Sequence, residues 1–384
     1  MLHVFTHSLT QKIANRRYIR IFGIVIAVFV AYHALMWFVF TSKLLDIPLP
    51  NQIGDLSRIA YQIQSLHPRK NASTLPRKHI EFSDWKGEKI DIITIGDSFS
   101  NGGAGGLNPY YQDYIASHYN CNVLNINPTL FGENSIEAVN ALYRSGLLDE
   151  IKPKAILIES VGRYITSRYA KPIIWDQNLS RSAIYADLKK GAWGDGKPQK
   201  EKPLFISTAN YKLPLYNFYY LMSPNAFDYS NAYKLSLKKP LFNVNAASTL
   251  LVYEHDITSL GTITPENISI INTNFNHLAD LLSNKKIHLY FMAAVDKYDL
   301  YHDYLEPDSS YGKNPLFDLL RPMEKHYTFI DTKSILSDAL QKGQKDIYYA
   351  DDTHWSYLAS DIVIRNVPFQ KIIENTALHS KMLK

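Results

Sequence analysis

The sequence predicts an α/β fold, a parallel sheet of about five strands with helices on both faces, carried behind one apolar N-terminal helix. Three observations predict it. From Ile90 onward, short apolar runs alternate with helical segments, the pattern of a parallel sheet with crossover helices. Ile21 to Phe40 (IFGIVIAVFVAYHALMWFVF) carries no charge, and about twenty such residues are what a bilayer core requires. The 384 residues, 46% hydrophobic and 20% charged, can bury a sizeable core and are too apolar for a disordered chain.

The same counts exclude several classes. A net charge of +5 is mild, and part of it is the cluster Lys12, Arg16, Arg17 and Arg20, so no nucleic-acid partner is expected. One cysteine, Cys121, rules out an internal disulfide and any cysteine-based metal motif. The spacing around His302 matches no established ligand set, so neither metal nor cofactor is expected. The 27 tyrosines suit a sugar-binding surface, but the same composition also fills cores, and packing is the expected role of most of them.

Taken in order, residues 1–20 read as a basic cytoplasmic N-terminus and 21–40 as an uncleaved transmembrane anchor. The basic residues precede the anchor, and only Lys43 closely follows it, so the remainder is expected outside the cytoplasm. No small-residue cleavage site follows Phe40. Residues 41–89 read as a tether, with a short amphipathic helix near Ile53–Leu66 and a Pro- and Lys-rich stretch through Arg69 and Arg77. The catalytic domain is read as 90–384.

In that domain strands are expected at Ile90–Ile95, Asn122–Ile126, Ala155–Glu159, Ile287–Ala293 and Tyr327–Ile330. Helices fit Tyr110–His118, Ser135–Ser145, Pro265–Ser283, Pro315–Lys325 and Lys333–Gln341, with a last one after His354. Thr264 before Pro265 is a helix-start signal. Between the third and fourth strands, about 167–261 reads as an insertion, a lid or side module. It holds the polar loop KKGAWGDGKPQKEKP and an aromatic run from Tyr211 to Tyr220.

The first predicted strand runs straight into GDSFS, residues 96–100. Ligands of an open parallel sheet bind beyond the carboxyl ends of its strands, which is where Ser98 stands. A serine hydroxyl needs a histidine base, and that histidine needs a carboxylate to orient it. The late segment Ala350-Asp351-Asp352-Thr353-His354-Trp355 supplies both types, in a loop entering the last helix. Singly these signals are weak; their joint placement at the two ends of one α/β region is much stronger.

GDSFS together with DDTHW resembles the SGNH (GDSL-type) hydrolase superfamily, in particular its alginate O-acetyltransferase-like ("DHHW"-type) cell-envelope branch, over about residues 90–367. The resemblance implies a flavodoxin-like three-layer fold with Ser98 as nucleophile, His354 as base and an aspartate behind it. Gly132, in Thr129-Leu130-Phe131-Gly132-Glu133-Asn134, resembles the block whose backbone amide helps form the oxyanion hole, and Asn134 lies beside it. Glu159 and Arg163 resemble the Glu…Arg element of the acetyltransferases, but a structural ion pair at a strand end explains them equally well. Asp296-Lys297 resembles a fourth-strand element of that branch, and is otherwise a solvated loop pair. Trp355 belongs to the terminal block.

Departures are visible too. No Gly-x-Asn follows the third strand, and the serine precedes Asp-x-His, unlike the alginate enzymes. Asp351 fits an Asp-x-x-His spacing and Asp352 an Asp-x-His spacing; the copied Thr-His-Trp favours Asp352. The other aspartate is then expected to face solvent or to cap the helix near Trp355. The resemblance implies a serine O-acyltransferase, most simply an acetyltransferase, in a bacterial inner membrane. Its acceptor would be a periplasmic polysaccharide or peptidoglycan, and its acetyl donor a membrane-bound O-acyltransferase partner. An anchored esterase and a silent glycan-binding subunit are the alternatives.

Overall fold

The computed structural model describes residues 2–45, 53–69, 74–191 and 204–370, with side chains of the first helix from residue 15. Residues 192–203 of the expected polar loop, and 46–52 and 70–73 of the expected tether, lie outside the described residues.

The first helix, Leu2–Met36, continues through a π turn at Trp37–Thr41 into Ser42–Leu45. Among the described residues, Asn15–Leu45 is the one stretch long and apolar enough to cross a membrane. Its apolar side chains, such as Ile24, Val28 and Leu35, stand exposed, as lipid-facing residues would.

The sheet comprises β1 (Ile80–Glu81), β2 (Ile92–Ile95), β3 (Val123–Ile126), β4 (Ala155–Val161), β7 (His288–Ala294) and β8 (Thr328–Asp331). Their order is β1-β3-β2-β4-β7-β8, every pair parallel. Helices Tyr111–Tyr119, Thr332–Gln341 and Tyr357–Arg365 pack together as one set, and Ser135–Arg144, Gly162–Tyr169 and Pro265–Ser283 as another. All residues of β2, β3 and β4 are buried, which is why these strands read as continuous apolar runs. The chain runs from β2 to β3 on one side and then to β4 on the other, so the strand order reverses between β2 and β4. That is where an α/β sheet opens a crevice at its carboxyl edge.

The expected strand count needs correction, from about five to six. The additional strand, Ile80–Glu81, lies in the segment read as tether and pairs Ile80 with Leu124; two residues show no periodicity. The segment also places Asp55–Ala60 and a short 3-10 turn, Ile63–Ser65, where one longer helix was expected. The insertion contains helices Arg181–Lys190 and Ala209–Met222 and an antiparallel hairpin of β5 (Ala232–Ser236) and β6 (Thr249–Tyr253).

Candidate active site

The backbone beyond β2 is fixed by Asp97. One of its carboxylate oxygens accepts the N–H of Phe99 at 3.1 Å, the local turn that aspartates favour. The other accepts the N–H of Val161 at 2.9 Å and Arg168 Nη1 at 2.5 Å, tying the tip of β2 to the end of β4. Ser98 is left exposed at the strand's mouth.

Beneath this loop Glu159 accepts the Asp97 N–H at 3.1 Å and the Ser100 hydroxyl at 2.9 Å. A β-carbon at residue 96 would collide with both Ser100 and Glu159, so the position requires glycine. Burial pushes the Glu159 carboxyl far up, and the charge of Asp97 adds to it. Burial also opposes ionisation of Asp97, but Arg168 and the Val161 and Phe99 N–H groups outweigh it and hold Asp97 low. The pair therefore divides into a neutral Glu159 and a charged Asp97.

His354, from the loop before the last helix, reaches this point. Its Nε2 lies 2.7 Å from Ser98 Oγ, and its Nδ1 lies 2.6 Å from Asp352 Oδ1. An ionised carboxylate only accepts, so Nδ1 carries the proton and Nε2 accepts from the serine. The Asp352 Oδ1 atom also accepts the backbone N–H of His354 at 2.9 Å, which fixes ring and backbone together. Gly103 makes the approach possible, since a β-carbon there would strike His354 Nε2. Burial works against the imidazolium, but Asp352, bonded to Nδ1, and then Asp55 outweigh it and hold His354 above its ordinary value. This order of groups can pass the Ser98 proton to a base and stabilise the cation that results.

Sequence reasoning missed the groups behind Asp352. Arg69 Nη2 donates to Asp352 Oδ2 at 2.6 Å, while Nη1 donates to Asp351. Its guanidinium also lies 4.2 Å from the centre of the Tyr349 ring, and Nε donates to the Ala104 carbonyl at 3.1 Å. Asp351 neither faces solvent nor caps the last helix. It is fully buried, accepts the Gly54 N–H at 2.8 Å as well as Arg69, and the cap is Ser356. The physical reason is Arg69, whose planar fork can serve two carboxylates at once.

Asp55 accepts the N–H and hydroxyl of Thr353 at 2.8 and 2.6 Å and stands 4.0 Å from His354 Nδ1. Asp55, Asp352 and His354 thus bring three metal-competent atoms within 4.8 Å of one another. Asp352 is already committed to His354 and Arg69, so the set fits an oriented histidine base better than an ion. Lys297 is fully buried, not a solvated loop residue, and its ammonium donates to the carbonyls of Tyr349, Ala350 and Asp352 at 2.8, 3.0 and 3.1 Å. Burial pushes it down to about 8.

The remaining candidates divide. The Gly132 N–H is donated to the Thr129 carbonyl at 3.3 Å, closing a turn with φ +56°, so it is not free for an oxyanion. Asn134 caps helix Ser135–Arg144 through its carbonyl oxygen, and its amide nitrogen is buried with no partner. Asn134 lines a cleft of about 180 Å³ with Asp97, Asn101, Asn127 and Arg168. The cleft flanks the Gly96–Asn101 loop but does not enclose Ser98 Oγ. Arg163 is buried against Asp256 at 3.0 Å and Asp296 at 3.4 Å, which is the structural reading of that residue. Trp355 is 3% exposed and edge-on to Phe99, a wall behind the serine loop with no face open to ligand.

No family model matches the chain, and no curated protein and no solved structure matches it either. Fold and site together define an α/β protein with a Ser–His–Asp hydrogen-bonded chain at the carboxyl edge of its sheet.

Proposed function

We propose that the chain is a membrane-anchored serine O-acyltransferase of the SGNH (GDSL-type) kind. It would modify hydroxyl groups of an exported or cell-envelope polysaccharide outside the cytoplasm, most simply with acetyl. The observation that carries this reading is the pair of bonds Ser98–His354–Asp352, at 2.7 and 2.6 Å, beyond the carboxyl end of β2.

Ser98 Oγ attacks the donor ester carbonyl as His354 Nε2 takes its proton, and Asp352 stabilises the imidazolium. His354 then returns that proton to the departing alcohol, leaving an acyl-serine. A sugar hydroxyl, deprotonated by the same nitrogen, attacks the acyl carbon and restores Ser98. The backbone N–H of Ser98 is the donor offered to the oxyanion, such a donor being worth about 3 kcal/mol of barrier. In this reading Ile21–Phe40 crosses the bacterial inner membrane with the basic N-terminus cytoplasmic. The acetyl group arrives through a membrane-bound O-acyltransferase partner.

The test uses the full chain in nanodiscs. A fluorophosphonate probe should label wild type and neither Ser98→Ala nor His354→Ala; an unlabelled wild type would leave a silent glycan-binding subunit. Given an acetyl ester with and without sugar oligomers, mass spectrometry should find acetylated sugar. Acetate release alone, unchanged by acceptor, would make the protein an esterase.

A further inference from the structure

Leu204 to Met222 (LFISTANYKLPLYNFYYLM) contains one charged residue, Lys212, although it belongs to the domain and not to the anchor. Its helix, Ala209–Met222, turns one side inward, where Tyr220 packs with Leu56, Ala60 and Leu251. The other side is bare. Leu204 is 74% exposed, Phe218 56%, Leu221 76% and Met222 69%. A contiguous apolar surface of this kind on a water-facing domain needs a cover.

Where the segment meets the anchor indicates what that cover is. Asn210 Nδ2 lies 2.7 Å from His33 Nδ1, Tyr211 Oη lies 3.0 Å from His33 Nε2, and Tyr32 donates to the Asn210 carbonyl at 2.9 Å. The Tyr32 and Tyr211 rings stack at 5.1 Å, and Phe205 sits edge-on to Trp37. His33 is thereby fully buried, with both ring nitrogens bonded, as a polar group at membrane depth must be. His33 lies seven residues before Phe40, the end of the apolar stretch. At 1.5 Å of rise per residue this is about 10 Å inside it. The first turn of the Ala209–Met222 helix therefore sits below the point where the anchor leaves the apolar zone. Phe205, just before the helix, lies 6.1 Å from Phe38 of the anchor, and both side chains are exposed, so the bare surface of the segment begins beside that of the anchor.

We propose that Leu204–Met222 is a second membrane element, a monotopic helix whose exposed face is buried among lipid acyl chains. It seats the domain on the leaflet from which the anchor emerges. Tyrosines 211, 216 and 219 supply the amphipathic rings that favour this depth, and Lys212 can snorkel to the head groups. The packing path from anchor to site is short. Ser42–Leu45 packs against Asp55–Ala60, and Asp55 bonds to Thr353 beside His354. The Ser98 site is thus kept near the bilayer, suited to a substrate presented there.

The proposal needs the anchor reading but no chemistry at Ser98. Single nitroxide labels are placed on the full chain in nanodiscs, at Leu215→Cys, Phe218→Cys and Leu221→Cys in a Cys121→Ala background. Val28→Cys serves as the hydrocarbon reference and Lys342→Cys as the aqueous one. Power saturation should show the three sites reached by oxygen and shielded from a nickel chelate, as at Val28. Nickel access equal to that at Lys342 would overturn the proposal. Shielding from both agents would overturn it in favour of a protein cover, such as a second copy. Nickel access at Val28 itself would overturn the anchor, and the seating with it.

Discussion

Arg69 and Asp352 meet at 2.6 Å with almost no access to water, so a residue from the segment read as tether holds the carboxylate that faces His354. The other arm of the same guanidinium holds Asp351. The planar fork of one guanidinium thus bridges two adjacent buried carboxylates. Asp352 is accordingly held far below the usual carboxylate range, where Arg69 and His354 together outweigh burial.

Removing the arginine should therefore damage stability and chemistry together. Arg69→Met removes the direct ion-pair partner of both aspartates, and breaking a buried pair costs about 3–5 kcal/mol. Arg69→Lys keeps the charge but cannot span both aspartates. It should fold and lose about a hundredfold in turnover, the scale of a 1 Å misplacement at a reacting group. Urea unfolding and acetyl-ester turnover of the two variants check this. Wild-type turnover in Arg69→Lys would show that the fork does not orient Asp352.

The two aspartates should separate in kinetics. Asp352→Asn leaves His354 without its acceptor and should cut turnover by roughly 10³–10⁴. Asp351→Asn loses charge-assisted bonds to Arg69 and the Gly54 N–H, a loss of about 1.5–3 kcal/mol of stability, while turnover falls far less. Turnover and unfolding free energy of each variant decide it. The reverse order would give the orienting role to Asp351.

Much of the fold was legible because parallel strands buried on both faces read as apolar runs. The five long-range strands fall within two residues of where Ile90–Ile95 and its successors were expected. The hairpin Ala232–Ser236 with Thr249–Tyr253 was not legible, since its two strands are joined by a long loop and carry no tight-turn signature. At the site, Ser98, Asp352 and His354 could be read because each stands in a short block at a strand end or helix entry. Arg69 could not. It meets Asp351 across 282 positions, and its neighbours, His-Pro-Arg-Lys, have the composition of a linker. Glu159 and Arg163 carried a pattern that fits substrate contact, yet β4 is buried throughout, so side chains near its end point into protein.

The pH dependence of kcat/KM should report His354. A general base must be neutral, and its raised pKa means that protonation persists above the ordinary 6.5. Activity should thus rise with pH through an apparent pKa above 6.5, by about tenfold per unit on the acid side. In Asp352→Asn the burial that opposes the imidazolium remains while its main counterion is gone, so the residual acid limb should move down. An upward shift would contradict the proton order assigned to the ring.

The last expectation concerns how much chain the site needs. Residues 41–89 read as a tether, but Gly54 donates to Asp351, Asp55 bonds Thr353, and the Ser57 N–H reaches the Asp351 carbonyl at 3.1 Å. Ile53, Leu56 and Ala60 are buried, so the segment brings apolar contact as well as polar bonds. A chain beginning at Asn51 keeps all of these groups and Arg69. It should take the fluorophosphonate label like the full protein when mild detergent covers the helix Ala209–Met222. A chain beginning at Thr74 loses Asp55 and Arg69 together, leaving Asp351 and Asp352 buried without their ion-pair partner. It should unfold at lower urea, by at least the 3–5 kcal/mol of a broken buried pair, and label far more slowly. Equal labelling of the two truncations would return residues 53–69 to the role of a simple tether.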